Sequence, residues 1–167
     1  GKLDVVQDLA RPLPALVIAD LIGMLREDRK TFQAWSDGIA AGMVLSTRGQ
    51  GAIDGLKEAH RSQRELIAYF GTLVASRRVQ PREDLLSALI ASEVDGNILD
   101  DAELIAMCIL LLFAGHETTQ HLIGNGMLTL LDHPAELERL RAEPALIGRA
   151  VEEFLRFDCP VQATGRR

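Results

Sequence analysis

The residues with chemical reach gather in one short stretch, "LLLFAGHETTQHLIGNG", at positions 110–126. A small pair, Ala114-Gly115, breaks a leucine run, and an acid and two hydroxyls follow at once: Glu117, Thr118 and Thr119. Residues three and four apart share a helix face, so Ala114 and Gly115 sit one turn before Thr118 and open a notch there. Something flat or bulky could approach the backbone at that notch. A mid-helix glycine costs about 1 kcal/mol relative to alanine, which asks for a reason in packing or function. The Thr118 hydroxyl can compete for the Ala114 carbonyl, a contact that tends to bend or open a helix. Glu117 lies about 100° around the helix from Thr118, and an acid beside an alcohol can relay protons. A core helix with a close crossing at the glycine and a solvated polar patch would leave the same pattern. Geometry alone keeps both readings open.

A zinc reading fails. His116-Glu117 begins the pattern His-Glu-x-x-His, but position 120 is Gln120. His121 is about 140° around the helix from His116, so the two cannot share one metal on one face. His60, His121 and His133 have no partners at ligand spacing and read as surface or capping residues. Gly49-Gln-Gly51 is no dinucleotide fingerprint, because no strand precedes it and the next glycine, Gly55, comes one position too late.

The elements that must position this stretch read almost entirely as helix. Asp4-Val5-Val6 reads as a short extended piece. A helix over Pro12–Ile22 and a second from about Glu27 to Val44 carry apolar residues at helical spacing. Residues 46–55 read as a loop, and a helix from about Leu56 to Val79 follows, ended by Pro81. Trp35 and Phe70 read as core, and Arg77-Arg78 as charge favoured at a helix C-terminus. A shorter helix from Asp84 should stop near Asp95-Gly96-Asn97. Asp100 and Glu103 have the form of a capping box that starts the long helix. No breaker appears until His133-Pro134, so this helix spans roughly 48 Å. Two short helices, opened by Pro134 and Pro144, follow, and the chain turns extended after Cys159-Pro160.

At 167 residues, with 47% hydrophobic and 25% charged, the chain has the balance of one globular all-α domain. A net charge of -6 argues against nucleic acid, which needs a basic stripe. Cys108 and Cys159 show no metal spacing, and a reduced, cytoplasmic setting is the simplest expectation. No N-terminal signal segment is expected, and the longest uncharged stretch, Leu104 to Gly115, falls short of the about 20 residues of a membrane helix.

"AGHETT" in a long apolar helix, followed after two short helices by "EEFLRF", resembles the haem-thiolate monooxygenases of the cytochrome P450 family, bacterial class. "PLPALVIADLIGM", "RRVQPREDLLSALI", "DDAELIAMCILLLFAGHETT", "DHPAELERLR" and "PVQATGRR" are similar to successive segments of that family, in its order. The resemblance implies the central helical part of that fold and a haem b cofactor. It also implies insertion of one atom of O2 into a small organic substrate, with electrons passed from NAD(P)H through a ferredoxin-type partner. It implies that Ala114 and Gly115 open the groove for dioxygen, and that Glu117 and Thr118 stabilise bound oxygen and deliver protons. Phe113, Ala114 and Val161 would face the substrate pocket, and Arg166 would pair with a haem propionate. Glu153 and Arg156 would form a buried clamp with a third partner further downstream. Gly49-Gln-Gly51 would connect two lid helices over the substrate channel.

One departure bears on the cofactor. The family's ligand is a cysteine in a glycine-rich loop well after the Glu-x-x-Arg helix, and no such loop occurs in this sequence. Cys108, in the apolar run, reads as a small buried hydrophobe, and Cys159 lies outside any ligand context, so neither is a thiolate ligand. The expectation is a partial domain over 1–167, inactive by itself, whose apolar long helix self-associates. The alternative is a cofactor-free helical module that uses this helix to dimerise.

Overall fold

A computed structural model describes residues 1–45, 52–94 and 97–162. Local capping explains where several helices begin. The Asp4 carboxylate accepts hydrogen bonds from the Val6 and Gln7 amides at 3.0 Å and starts a π-helical turn over Val5–Ala10. The extended reading of Asp4-Val5-Val6 is corrected, because an N-cap outweighs the strand preference of two valines. Helix α1 is Pro12–Ile22, α2 is Arg29–Leu45 and α3 is Ala52–Val79. Helix α3 thus starts four residues before the expected Leu56. Asp54 in its first turn favours the positive helix end and pairs with Lys57, which offsets the cost of Gly55. The part of the expected loop at 46–51 lies outside the described residues.

Helix α4 is Leu85–Ala91, capped by Asp84, whose side chain accepts from the Ser87 amide at 2.8 Å. It stops earlier than expected, and a two-residue antiparallel hairpin follows, β1 (Glu93–Val94) against β2 (Asn97–Ile98). Asp95 and Gly96 lie outside the described residues. Helix α5 is Asp101–Asp132. Its capping box forms in both directions, Glu103 N–H to Asp100 at 2.8 Å and Asp100 N–H to Glu103 at 2.9 Å. Helix α6 is Pro134–Ala142, and a 3-10 turn at Pro144–Leu146 leads into α7, Ile147–Phe157. Apart from the hairpin, the described regular structure is helical, as the all-α reading expects.

The chain divides into two compact units, residues 15–113 and residues 1–14 with 114–167. In the first, Phe32, Leu66, Phe70, Val74, Leu86, Leu104, Cys108 and Leu112 are fully buried in one core. Leu104, Cys108 and Leu112 recur every four residues, so one stripe of α5 faces that core. Two polar ties join α2 and its approach to α3: Trp35 Nε1 donates to Glu65 at 2.7 Å, and Tyr69 Oη donates to Asp28 at 2.9 Å. In the second unit, α5 and α7 meet at Gly126, where the Phe154 ring lies so close that a Cβ would stand 2.9 Å from its Cδ2.

The expectation that no segment could span a membrane needs one correction. By length and apolarity α5 passes that test, with a mean hydropathy of 1.4 over its best window. The uncharged run stops at Glu117, yet a single acid leaves the surrounding window apolar. One stripe of α5, through Leu104, Cys108 and Leu112, packs into the core of residues 15–113.

Candidate functional site

Helix α5 runs unbroken through the polar interruption. Thr118 does take the Ala114 carbonyl: its Oγ1 donates to that oxygen at 2.6 Å. The helix continues to Asp132 regardless, because a carbonyl has a second lone pair for its ordinary helical amide. The hydroxyl is thus parked along the helix rather than breaking it.

Burial sorts the stretch by face. His116 is 4% exposed and buried, whereas Ala114 is exposed and Gly115, Glu117 and Thr118 are half-buried. Ala114 lies about 200° around from His116, so the small residue points away from the packed side. His121 is exposed, and among the described residues no three His, Cys, Asp or Glu side chains converge on a possible metal.

What lies on the open side is a small-residue surface, one hydroxyl and an adjacent carboxyl. A surface so free of side-chain bulk is compatible with one face of a flat apolar group such as haem. The proximal ligand is another matter. Cys108 is buried in the core of the other unit, and burial, then the negative charge of Asp84, pushes its thiol up to about 11. A thiol so disposed stays protonated near neutral pH and is a poor metal ligand. Cys159 is exposed and free.

The remaining expected site residues are scattered. Phe113 is half-buried and packs against the core of residues 15–113. Val161, in the irregular stretch after α7, is 45% exposed. Arg166 lies outside the described residues. Glu153 and Arg156 do pair, with Nε and Nη2 reaching the two carboxylate oxygens at 2.7 and 2.6 Å. The guanidinium's hydrogen bonds hold the Glu153 carboxyl below the usual carboxylate range. The side chains are 54% and 69% exposed, and among the described residues each bonds only the other. At that exposure water screens the pair.

The sequence reading missed two features. Gly126 and Phe154 form a close contact between α5 and α7, and "GNG" in an apolar helix was its only signal. Arg77, read only as a charge favoured at a helix C-terminus, is 2% exposed and bound to Asp84 at 2.6 Å. A groove of about 490 Å³ lined by Leu130, His133, Leu140, Phe154 and Phe157 opens roughly three turns along α5 from Thr118, away from the acid-alcohol pair.

Comparison with known proteins identifies the family. A family profile described as Cytochrome P450 matches residues 50–155. The polyketide biosynthesis cytochrome P450 PksS of Bacillus subtilis (strain 168) is 39% identical over 167 residues, all of this chain and 39% of its own length. The cytochrome P450 monooxygenase PikC of Streptomyces venezuelae is 41% identical over 168 residues, 100% of this chain and 38% of its own. Among solved structures, substrate-free CYP109E1 from Bacillus megaterium superposes with a TM-score of 0.85 at 37% identity, covering 93% of this chain and 40% of that one. The chain thus spans about two fifths of the length of these relatives. A cofactor-free dimerisation module is not favoured by these matches, which run along the whole of this chain. The chain belongs to the cytochrome P450 family.

Proposed function

We propose that this chain forms the oxygen-facing part of a haem-dependent monooxygenase that inserts one atom of O2 into a small organic substrate and reduces the other to water. The observation that carries the reading is the Thr118 hydroxyl lying against the Ala114 carbonyl on an uncovered small-residue face, with Glu117 beside it. Names of relatives that include a monooxygenase and a polyketide-biosynthesis enzyme support the reaction class.

Bound haem supplies the iron at which dioxygen is activated. The chain's own residues supply access and protons. Ala114 and Gly115 keep the face free of side-chain bulk. Thr118 can release the Ala114 carbonyl at small cost, because that oxygen keeps its helical amide, and can turn its hydroxyl toward a ligand on the same face. Glu117, half-buried, can return a proton to that hydroxyl from solvent. By the family resemblance Phe113 and Val161 would face substrate, and Arg166 would pair with a haem propionate. The Glu153–Arg156 pair takes a third partner from elsewhere in the fold. Electrons arrive from a ferredoxin-type donor, and the setting is cytoplasmic, where both free cysteines stay reduced.

Thr118→Ala in the haem-loaded protein tests this. Product formed per O2 consumed should fall on the order of a hundredfold while O2 uptake continues as peroxide release. Thr118→Ser should restore coupling. Unchanged coupling in Thr118→Ala would remove the hydroxyl from the proton path.

A further inference from the structure

The chain contains one tryptophan and one tyrosine, and the fold brings them into contact. Trp35 of α2 and Tyr69 of α3 lie with ring centroids 5.6 Å apart and planes tilted by 54°. That separation is the distance of a direct aromatic pair. Each ring gives its one acidic hydrogen to a carboxylate. Trp35 Nε1 donates to Glu65 Oε2 at 2.7 Å, and Tyr69 Oη donates to Asp28 Oδ2 at 2.9 Å. Both distances suit proton transfer as well as hydrogen bonding. As ties between elements, the two bonds would serve equally with amides or alcohols as donors. Among aromatic side chains, however, indole and phenol lose one electron most readily, and that loss makes the attached hydrogen strongly acidic.

We propose that Trp35 and Tyr69 form a one-electron relay that carries an oxidising equivalent from the indole to the phenol and holds it there. A one-electron oxidant, such as an oxygen-derived radical, takes an electron from Trp35, whose N–H proton passes to Glu65. Tyr69 then gives an electron to the indolyl radical and its phenol proton to Asp28, while Glu65 returns its proton to Trp35. The net change is one electron lost by Tyr69, one proton gained by Asp28 and one electron gained by the oxidant. The direction follows because phenol is the easier of the two rings to oxidise once its proton has an acceptor. Transfer stops at Tyr69. The next ring, Phe70 at 5.8 Å, has no acidic hydrogen and is much harder to oxidise. Asp28 is half-buried beside the phenol, so the proton stays within reach. A reductant of the ascorbate class supplies one electron, Asp28 hands the proton back, and Tyr69 is restored. Burial, then the bond to Asp28, pushes the phenol up to about 12, so it rests un-ionised and its proton moves only on oxidation.

Pulse radiolysis of the full chain tests the relay, with the azide radical as an oxidant selective for indole. A single residue of each kind makes the two radical signals distinct. The tryptophanyl absorbance should decay as the tyrosyl absorbance rises, at one first-order rate that does not change with protein concentration. Asp28→Asn keeps an oxygen for the phenol's hydrogen bond but takes up no proton, and should slow that transfer on the order of a hundredfold. Should that variant fail to fold by circular dichroism, the unaltered chain in deuterium oxide serves instead, because a step that moves a proton must slow there. A transfer rate proportional to protein concentration would overturn the proposal. So would a tryptophanyl radical that decays with no tyrosyl signal, an Asp28→Asn variant as fast as the unaltered chain, or a rate unchanged in deuterium oxide.

Discussion

Two glycines a single residue apart in α5 should respond in opposite directions to the same substitution. A Cβ at Gly124 meets nothing within 4 Å, so Gly124→Ala only removes the backbone entropy cost of glycine and gains about 1 kcal/mol. A Cβ at Gly126 would stand 2.9 Å from Phe154 Cδ2, 3.1 Å from Cγ and 3.2 Å from Cε2. Carbon atoms settle at about 3.5–4.0 Å, so the ring must retreat by roughly 0.5 Å or more. Cγ is the ring atom nearest the backbone, so rotating the ring about its own axis gives no relief. Either α7 shifts or Phe154 leaves its rotamer.

Overpacking of this kind costs about 1–3 kcal/mol, against which the helix gain of about 1 kcal/mol is set. Gly126→Ala should therefore range from neutral to about 2 kcal/mol destabilising, which leaves a gap of roughly 1–3 kcal/mol between the two variants. Urea unfolding followed by far-ultraviolet circular dichroism measures both, with equal m-values showing that the same surface is exposed. In a chain of this size each kcal/mol moves Tm by about 2–4 °C. Phe154→Leu in the Gly126→Ala background should recover part of the loss, a coupling that a double-mutant cycle isolates. A Gly126→Ala variant stabilised as much as Gly124→Ala would refute the claim that α5 and α7 meet by backbone-to-ring contact.

The two thiols should separate cleanly. Cys159 is exposed and should react with Ellman's reagent at once, while burial and the raised Cys108 pKa of about 11 should hold the second thiol back until the chain unfolds. Two fast thiols in the native chain would contradict the buried position of Cys108. Tyr69 is the only tyrosine, and burial, then its hydrogen bond to Asp28, raises its pKa from 10.0 to about 12. The fold favours the neutral phenol, so this contribution to stability is whole below the ordinary value and is lost as pH rises through about 12. Phenolate absorbance should therefore appear with a midpoint near the higher value, and a native midpoint at the ordinary one would show Tyr69 open to water.

What was legible in the sequence was whatever a local rule decides. The limits of α1 and α5, the capping box at Asp100 and Glu103, and the proline starts at 134 and 144 all follow from caps and breakers within a few residues. The start of α3 was misplaced because Gly55 reads as a breaker, whereas Asp54 and the following stripe carry the helix through it. The Asp4 segment was misread for a related reason: two valines suggest a strand, and a single carboxylate cap overrides them.

Arg77 marks the other limit. Residue type does not distinguish it from its neighbour Arg78, which pairs with Asp101 and is 39% exposed. One of the two arginines turns inward because α1 ends at Gly23, fifty-four residues earlier, with a carbonyl that needs a donor. Periodicity supplies the argument afterwards: Arg77 falls three residues after Val74 and seven after Phe70, on the buried stripe, and Arg78 falls off it. The same test applied to Glu117 and Thr118 leaves them half-buried beside the exposed Ala114, off the stripe of Leu104, Cys108 and Leu112. Polar residues on the packed stripe of a helix serve the fold, as Arg77 does. Polar residues on the side away from it, behind a small-residue gap, serve whatever approaches from outside. That difference of face, more than the residue types, separates Arg77 of α3 from the proposed oxygen site of α5.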